Sequence, residues 1–398
     1  MSSPLKTPFQ SLATGFELDD DLILFARASG DLFLLNPTAA LVWQGLSDGM
    51  GLDDIITTLA TAADQSRQQV ESDCASLIAE WQESGLMAGG QPSPAKTRET
   101  PVAWWEDNLE PAKPLDFQPS LVKVYRIVDF QFCLRTADSP TGCQAHELLA
   151  HLEMPDSETV DSNLDVIFRD DQWCLYYNGH LVDQCADTEG VVPMVHGNLM
   201  LAAYRRSHCL VALHAAAIIA NDRCVLLAGV PGSGKSTLTA ALLANGFGFC
   251  ADDTALLTPP PIRVRGVPSR LGLKEGSWPV VRELWPELDS LPVHCRADGK
   301  RIRYLMPDDV MSAAPSDAAQ TAHVLVFPHY QPGSPTVMQP LRRADALLKL
   351  TESGYDIPDI INDNVVSALI DWMTSLDCYD LRYSDMQEAV SQVAGTVA

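Results

Sequence analysis

The residues best suited to chemistry lie between 225 and 253. Val225-Leu-Leu-Ala-Gly229-Val230-Pro231-Gly232-Ser233-Gly234-Lys235-Ser236-Thr237 carries an apolar strand into a Gly-x-x-x-x-Gly-Lys-Ser loop that opens a helix. A loop of this kind aims backbone N–H groups and a helix N-terminus at phosphate oxygens. Residues 229–237 are therefore the candidate phosphate-binding loop: Lys235 can neutralise the β/γ-phosphates, the Ser236 hydroxyl can ligate Mg²⁺, and Gly229 and Gly234 let the backbone come close. A run of good helix formers over 238–244 stops at Asn245-Gly246, and the chain returns as a short strand ending in Asp252-Asp253. In open α/β sheets ligands bind beyond the carboxyl ends of strands, which directs both acids at the Lys235 loop. Two assignments fit them. One acid handles a metal while the other accepts a proton from an attacking hydroxyl, or both serve a metal site that has no separate base. Upstream, His214 closes the apolar run 209–213 and is either a satisfied core residue or a pocket residue.

Leu213-His214-Ala-Ala-Ala, the loop 229–236 and Ala251-Asp252-Asp253 resemble the HPr kinase/phosphorylase family in order and spacing, over roughly residues 120–395. The resemblance implies an α/β P-loop kinase domain of the phosphoenolpyruvate-carboxykinase-like type that uses ATP and Mg²⁺ on a protein hydroxyl. It matches Asp253 to the family's proton acceptor, Lys235 and His214 to other active-site residues and Ser236 to its Mg²⁺ ligand, and it implies a homo-oligomer. Where the family carries a metal-binding Glu before an Arg-Gly pair, this chain reads Arg263-Val264-Arg265-Gly266. Glu275 is the substitute the sequence offers, and the reverse, dephosphorylating activity is not carried over.

The elements that must position these groups follow from the rest of the chain. Its 398 residues suffice for two or three domains. A net charge of −25 argues against nucleic acid or an anionic membrane as partner. The first residues lack a signal-peptide plan, no apolar run spans a bilayer, and the ten scattered Cys form no Cys-x-x-Cys, so a cytoplasmic protein is expected.

Residues 1–88 read as a winged-helix-like α+β module, with strands near 16–18, 22–25 and 31–34, a helix begun by Asn36-Pro37, and two amphipathic helices ending at Ser84-Gly85. The pattern Phe33-Leu-Leu-Asn36-Pro37-Thr-Ala-Ala-Leu-Val-Trp43 and the closing Trp81-x-x-Ser-Gly85-Leu-Met87 resemble the PqqD-like peptide-recognition domains of ribosomal-peptide biosynthesis. The resemblance implies a leader peptide added as a strand on a sheet edge beside a helix. Asp31, Leu32, Phe33 and Leu34 would then form one wall, and Val70, Cys74 and Leu77 the other. A winged helix used for dimerisation is the plainer alternative.

A Gly/Pro/Ser-rich tether over 89–119 follows, holding Trp104-Trp105, and then a β-rich subdomain over 120–207 with a hairpin at Asn178-Gly179. His180 and His196 read as structural residues. Downstream, Arg263, Arg265, Arg270, Lys274, Arg296, Lys300, Arg301 and Arg303 stand out in so acidic a chain. Of these, Arg265, Arg270, Lys274, Lys300 and Arg301 are candidates to clamp phosphates or offset transition-state charge. The sequence thus predicts a kinase of a Ser or Thr hydroxyl in a ribosomally made precursor peptide. A kinase of a carrier protein and a nucleotide-dependent peptide-binding scaffold are the alternatives.

Overall fold

The computed structural model describes residues 9–89, 115–154, 160–306, 319–353, 355–356 and 361–398. Most of the expected tether, including Trp104 and Trp105, lies outside the described residues. The chain is mixed α/β with several sheets. It divides into two compact units: Met1–Thr100 with Leu341–Thr351 and Asp359–Leu376, and Pro101–Pro340 with Glu352–Pro358 and Asp377–Ala398. Two late segments, which the sequence reading assigns to the second domain, therefore cluster with the first.

In the first unit, β1 (Ala13–Leu18), β2 (Asp21–Ala26) and β3 (Asp31–Leu35) form an antiparallel sheet in that order. Helices α1 (Pro37–Ser47), α2 (Leu52–Ala63) and α3 (Arg67–Glu83) follow. The start of α1 obeys the capping rule: Asn36 accepts a hydrogen bond from the Ala39 amide at 2.8 Å, and Pro37 occupies the first turn, where its missing N–H costs nothing. Leu24, Val42, Trp43, Ile78 and Trp81 fill the core, with the two indoles edge to face at 5.0 Å. Beside β1, Asp363 of the helix Asp363–Met373 accepts from Thr14 at 2.9 Å and from Arg27 at 2.9 Å. Asp21 and Asp19 pair with Arg342 and Arg343 at 2.9 and 3.0 Å.

The second unit opens with β4 (Leu121–Ile127), β5 (Phe130–Thr136), α4 (Ser139–Leu149), β6 (Ser162–Arg169), β7 (Gln172–Tyr177), β8 (His180–Cys185) and α5 (Thr188–Arg206). The strands make a five-stranded sheet in sequence order, and Asn178 and Gly179 turn the β7–β8 hairpin with φ of 47° and 85°. Tyr125, Phe132, Leu175 and Leu199 belong to the core that this sheet shares with α4 and α5. Helix α5 starts at Thr188, a turn and a half before Pro193, and Asp187 caps it by accepting from the Gly190 amide at 3.1 Å.

The remaining strands are β9 (Val211–Leu213), β10 (Ala215–Ala220), β11 (Arg223–Ala228), β12 (Gly248–Ala251), β13 (Ala255–Leu257), β14 (Val264–Gly266), β15 (Leu271–Lys274), β16 (His294–Cys295), β17 (Arg301–Leu305), β18 (Ala322–Tyr330), β19 (Val337–Pro340), β20 (Tyr355–Asp356) and β21 (Asp377–Tyr383). Helices α6 (Lys235–Ala244) and α7 (Trp278–Leu284) lie among them. The central sheet has the order β12-β10-β11-β18-β21-β19. Strand β11 is parallel to β18, and β18 to β21, while β10 is antiparallel to both β11 and β12. Four strands therefore run the same way, and Ala228, Ala251, Tyr330 and Tyr383 end together at one edge. A ligand site forms at such an edge in an open α/β sheet.

Candidate functional site

Strand β11 delivers residues 229–234 to that edge, and α6 starts at Lys235. Gly234 precedes the helix with φ of 97°, a left-handed conformation that suits glycine, and a Cβ there would collide with the Tyr383 hydroxyl. The packing explains the demand: Tyr383 Oη donates to the Gly234 carbonyl at 3.3 Å, and the Tyr330 amide donates to the Ser233 carbonyl at 3.0 Å. The loop is thus held by the ends of the neighbouring parallel strands. Val230 is exposed at its outer side.

Lys235 is buried, and its ammonium donates to the Gly229 carbonyl. Burial lowers its pKa, against the charges of Asp253 and Asp252, which raise it. Strand β12 places both acids. Asp252 is 3% exposed; its Oδ2 accepts from the Gly272 amide at 3.0 Å, and its Oδ1 has no hydrogen-bond partner among the described residues. Burial pushes its carboxyl pKa upward, as does the charge of Asp253; the Gly272 amide, the Ser236 hydroxyl and Lys235 pull the other way. The Ser236 hydroxyl is near enough to favour the carboxylate but makes no hydrogen bond of ordinary geometry to it. Asp253 is half exposed, with Oδ1 3.2 Å from His214 Nδ1. The same imidazole nitrogen lies 3.2 Å from the Asp253 carbonyl oxygen. Burial lowers the His214 pKa, which favours the neutral ring, while the charge of Asp253 works against that shift.

These groups line one cleft of about 1140 Å³. Its wall includes His214, Lys235, Ser236, Thr237, Asp252 and Asp253, together with Pro231–Gly234 of the loop. Two of the five cation candidates, Arg270 and Lys274, also line it. Arg270 is tied to the backbone of α4, donating to the Leu148 carbonyl at 3.1 Å and the Glu147 carbonyl at 2.5 Å. The other three lie off the wall. Arg265 pairs with Asp129 at 2.6 Å, Lys300 with Asp298 at 2.8 Å, and Arg301 with Glu275 at 2.8 Å. Glu275, the substitute metal ligand suggested by the sequence, is therefore engaged with a guanidinium. Arg296 takes a place on the wall instead.

Sequence reasoning missed three contributors. His196, read as structural, lines the cleft from α5, and Tyr304 and Tyr383 line it from β17 and β21. Nothing local marks any of them, since each arrives through long-range packing.

The residues present fit a nucleoside triphosphate with Mg²⁺. Ser233 Oγ and Asp252 Oδ1 are buried polar atoms without partners among the described residues, beside a buried ammonium and a loop whose Gly232 and Gly234 hold φ of 92° and 97°. An anion on the loop N–H groups and a cation between Ser236 and Asp252 would satisfy them.

In the first unit, Val70 and Cys74 belong to the core, at 5% and 3% exposure, and so cannot wall an open groove as the sequence reading has them do. The apolar spacing of α3 marks its buried face, and that face closes the module's own core, where Trp81 meets Trp43 of α1. Leu77 and Phe33 lie partly buried at the margin of the same core. Strand β3 has no strand partner on its outer side among the described residues.

Three short strands followed by three helices define a small α+β module. Residues 21–87 match the family of coenzyme PQQ synthesis protein D (PqqD), so the N-terminal module is PqqD-like. Solved structures that resemble part of the chain include a lasso peptide synthetase B1 complexed with the leader peptide, at 28% identity, and TbiB1 in complex with the TbiA(beta) leader peptide, at 19%. They cover 21% and 22% of this chain and the whole of their own, each with a TM-score of 0.20. No curated protein matches the chain. No described helix is long and apolar enough to cross a membrane.

Proposed function

We propose that this protein is an ATP-dependent phosphotransferase that modifies a Ser or Thr hydroxyl of a ribosomally synthesised precursor peptide, whose leader the PqqD-like module binds. The observation that carries the reading is the convergence of Lys235, Ser236, Asp252, Asp253 and His214 on one cleft at the carboxyl edge of the central sheet. The PqqD match in the same chain supports a peptide as the substrate.

The loop N–H groups and Lys235 would hold the phosphates, and Ser236 and Asp252 would hold Mg²⁺. ATP supplies the transferable phosphoryl group, and Mg²⁺ neutralises the charge that develops on it. Asp253 accepts the proton of the attacking hydroxyl as the new oxygen–phosphorus bond forms and the β,γ-bridging bond breaks. His214, within 3.2 Å of that carboxylate, orients it. Lys235 holds ADP as it leaves. A homo-oligomeric, cytoplasmic enzyme agrees with this reading.

A second reading is a nucleotide-dependent peptide-binding scaffold. The engagement of Glu275 by Arg301 favours it, because Asp252 and Asp253 are left as the cleft's acids nearest Ser236. Incubating a candidate precursor peptide with ATP, Mg²⁺ and the protein separates the two by intact mass. Phosphotransfer adds one phosphoryl group to the peptide, whereas a scaffold binds or turns over ATP and leaves the peptide mass unchanged.

A further inference from the structure

The cleft continues past Asp253 onto a wall that the phosphate and proton chemistry does not use. From α5 it takes His196, Met200 and Leu201, and from β17 Tyr304; Met194 and Ile302 also line it but are core residues at 7% and 3% exposure. Apart from the imidazole and the phenol hydroxyl, this wall is apolar. Met200, partly buried at the core's margin, gives it a flexible thioether that adapts to varied side chains. His196 and Tyr304 lie against each other with ring centroids 4.9 Å apart, and the charges of both Arg296 and Asp253 act on these two groups. His196 Nε2 is buried without a hydrogen-bond partner among the described residues, although a buried polar atom normally has one. Burial keeps this imidazole neutral near pH 7, able to donate or accept.

We infer that this wall is an acceptor-side subsite for a peptide, which seats an apolar side chain next to the residue being phosphorylated and bonds its backbone amide through His196. The inference rests on the phosphotransfer reading, because the subsite is defined by its continuity with Asp253. A peptide fits the wall chemically: an extended segment presents an amide to the unpartnered nitrogen and a side chain to the apolar surface within one residue of the reacting hydroxyl.

The test uses the full-length protein, ATP, Mg²⁺ and a degenerate peptide library with one fixed Ser, at millimolar concentration, where a bound leader's contribution to local concentration is dispensable. Sequencing the phosphorylated pool should show enrichment of Leu, Ile, Met or Phe at one position beside the Ser. Leu201→Asp should shift selection at that same position toward Lys and Arg, a change of preference that misfolding cannot imitate. His196→Ala should raise KM for a selected peptide by about tenfold with KM for ATP unchanged. Phosphorylation without preference at the flanking positions, or a preference that Leu201→Asp leaves intact, would overturn the subsite alone. No phosphorylated peptide with the wild-type protein would overturn the phosphotransfer reading and the subsite together.

Discussion

Asp253 and Asp252 are neighbours in sequence but meet different surroundings. Asp252 is buried under the Gly272 amide, whereas Asp253 reaches the open cleft and the His214 ring. Asp253 is therefore the proposed proton acceptor, and Asp253→Asn should lower transfer by about 10²–10⁴-fold. A nucleotide titration of the same variant should show unchanged affinity; a variant that transfers at the wild-type rate would remove the assignment. Gly234→Ala probes the loop instead. Its methyl would meet the Tyr383 hydroxyl at a backbone φ of 97°, at a strain cost of about 1–3 kcal/mol. The expected result is loss of nucleotide affinity with the second unit still folded, read by titration and by thermal unfolding.

Protonation ties the same residues to stability. Burial lowers the pKa of His151, His196, His214 and His294, that of His196 to about 4. Between the folded and unfolded values the unfolded chain binds more protons. The stability from these neutral rings is therefore complete above about pH 6.5 and is lost as pH falls, for His196 through about 4. Asp252, whose pKa burial raises, works in the opposite sense over part of that window. The clean observable is thus a difference. Thermal midpoints measured from pH 7 to pH 4 should fall less steeply for His196→Gln than for the wild type, and parallel curves would contradict the burial argument.

At the scale of elements, the strand–loop–helix of the phosphate site was legible in the sequence because its signals are local: an apolar strand, fixed glycine spacing and a helix start. The same holds for the Asn36-Pro37 start of α1 and the Asn178-Gly179 hairpin. What periodicity could not tell was which way a helix faces. Val70 and Cys74 carry the right spacing for a groove wall and instead close the module's core. Nor could composition separate Arg296, which lines the cleft while pairing with Asp298 at 3.4 Å, from Arg265, Lys300 and Arg301, which pair with acids off the cleft wall. Ion-pair partners such as Asp129 and Arg265 lie far apart in the chain, and only the tertiary fold brings them together. Leader binding is predicted to use the outer edge of β3 and the partly buried margin at Phe33 and Leu77. Leu77→Asp should weaken a leader peptide by roughly tenfold through lost apolar burial, measured by fluorescence anisotropy, with transfer to leaderless peptide unchanged.

In the proposed function a recognition module and a transfer cleft share one chain, so that a bound leader would raise the concentration of its core segment at Asp253. Residues 341–351 and 359–376 cluster with the module. Deleting residues 1–90 would strip contacts from both segments, and removing the leader from the peptide is the cleaner control. The measurement that tests the central claim most directly is the intact mass of a precursor peptide, with and without its leader, after incubation with the full-length protein, ATP and Mg²⁺. The account predicts a gain of one phosphoryl group, about 80 Da, formed much faster on the leader-bearing peptide and absent with Asp253→Asn. An unchanged peptide mass, alongside measurable ATP turnover or peptide binding, would contradict it and leave the scaffold reading.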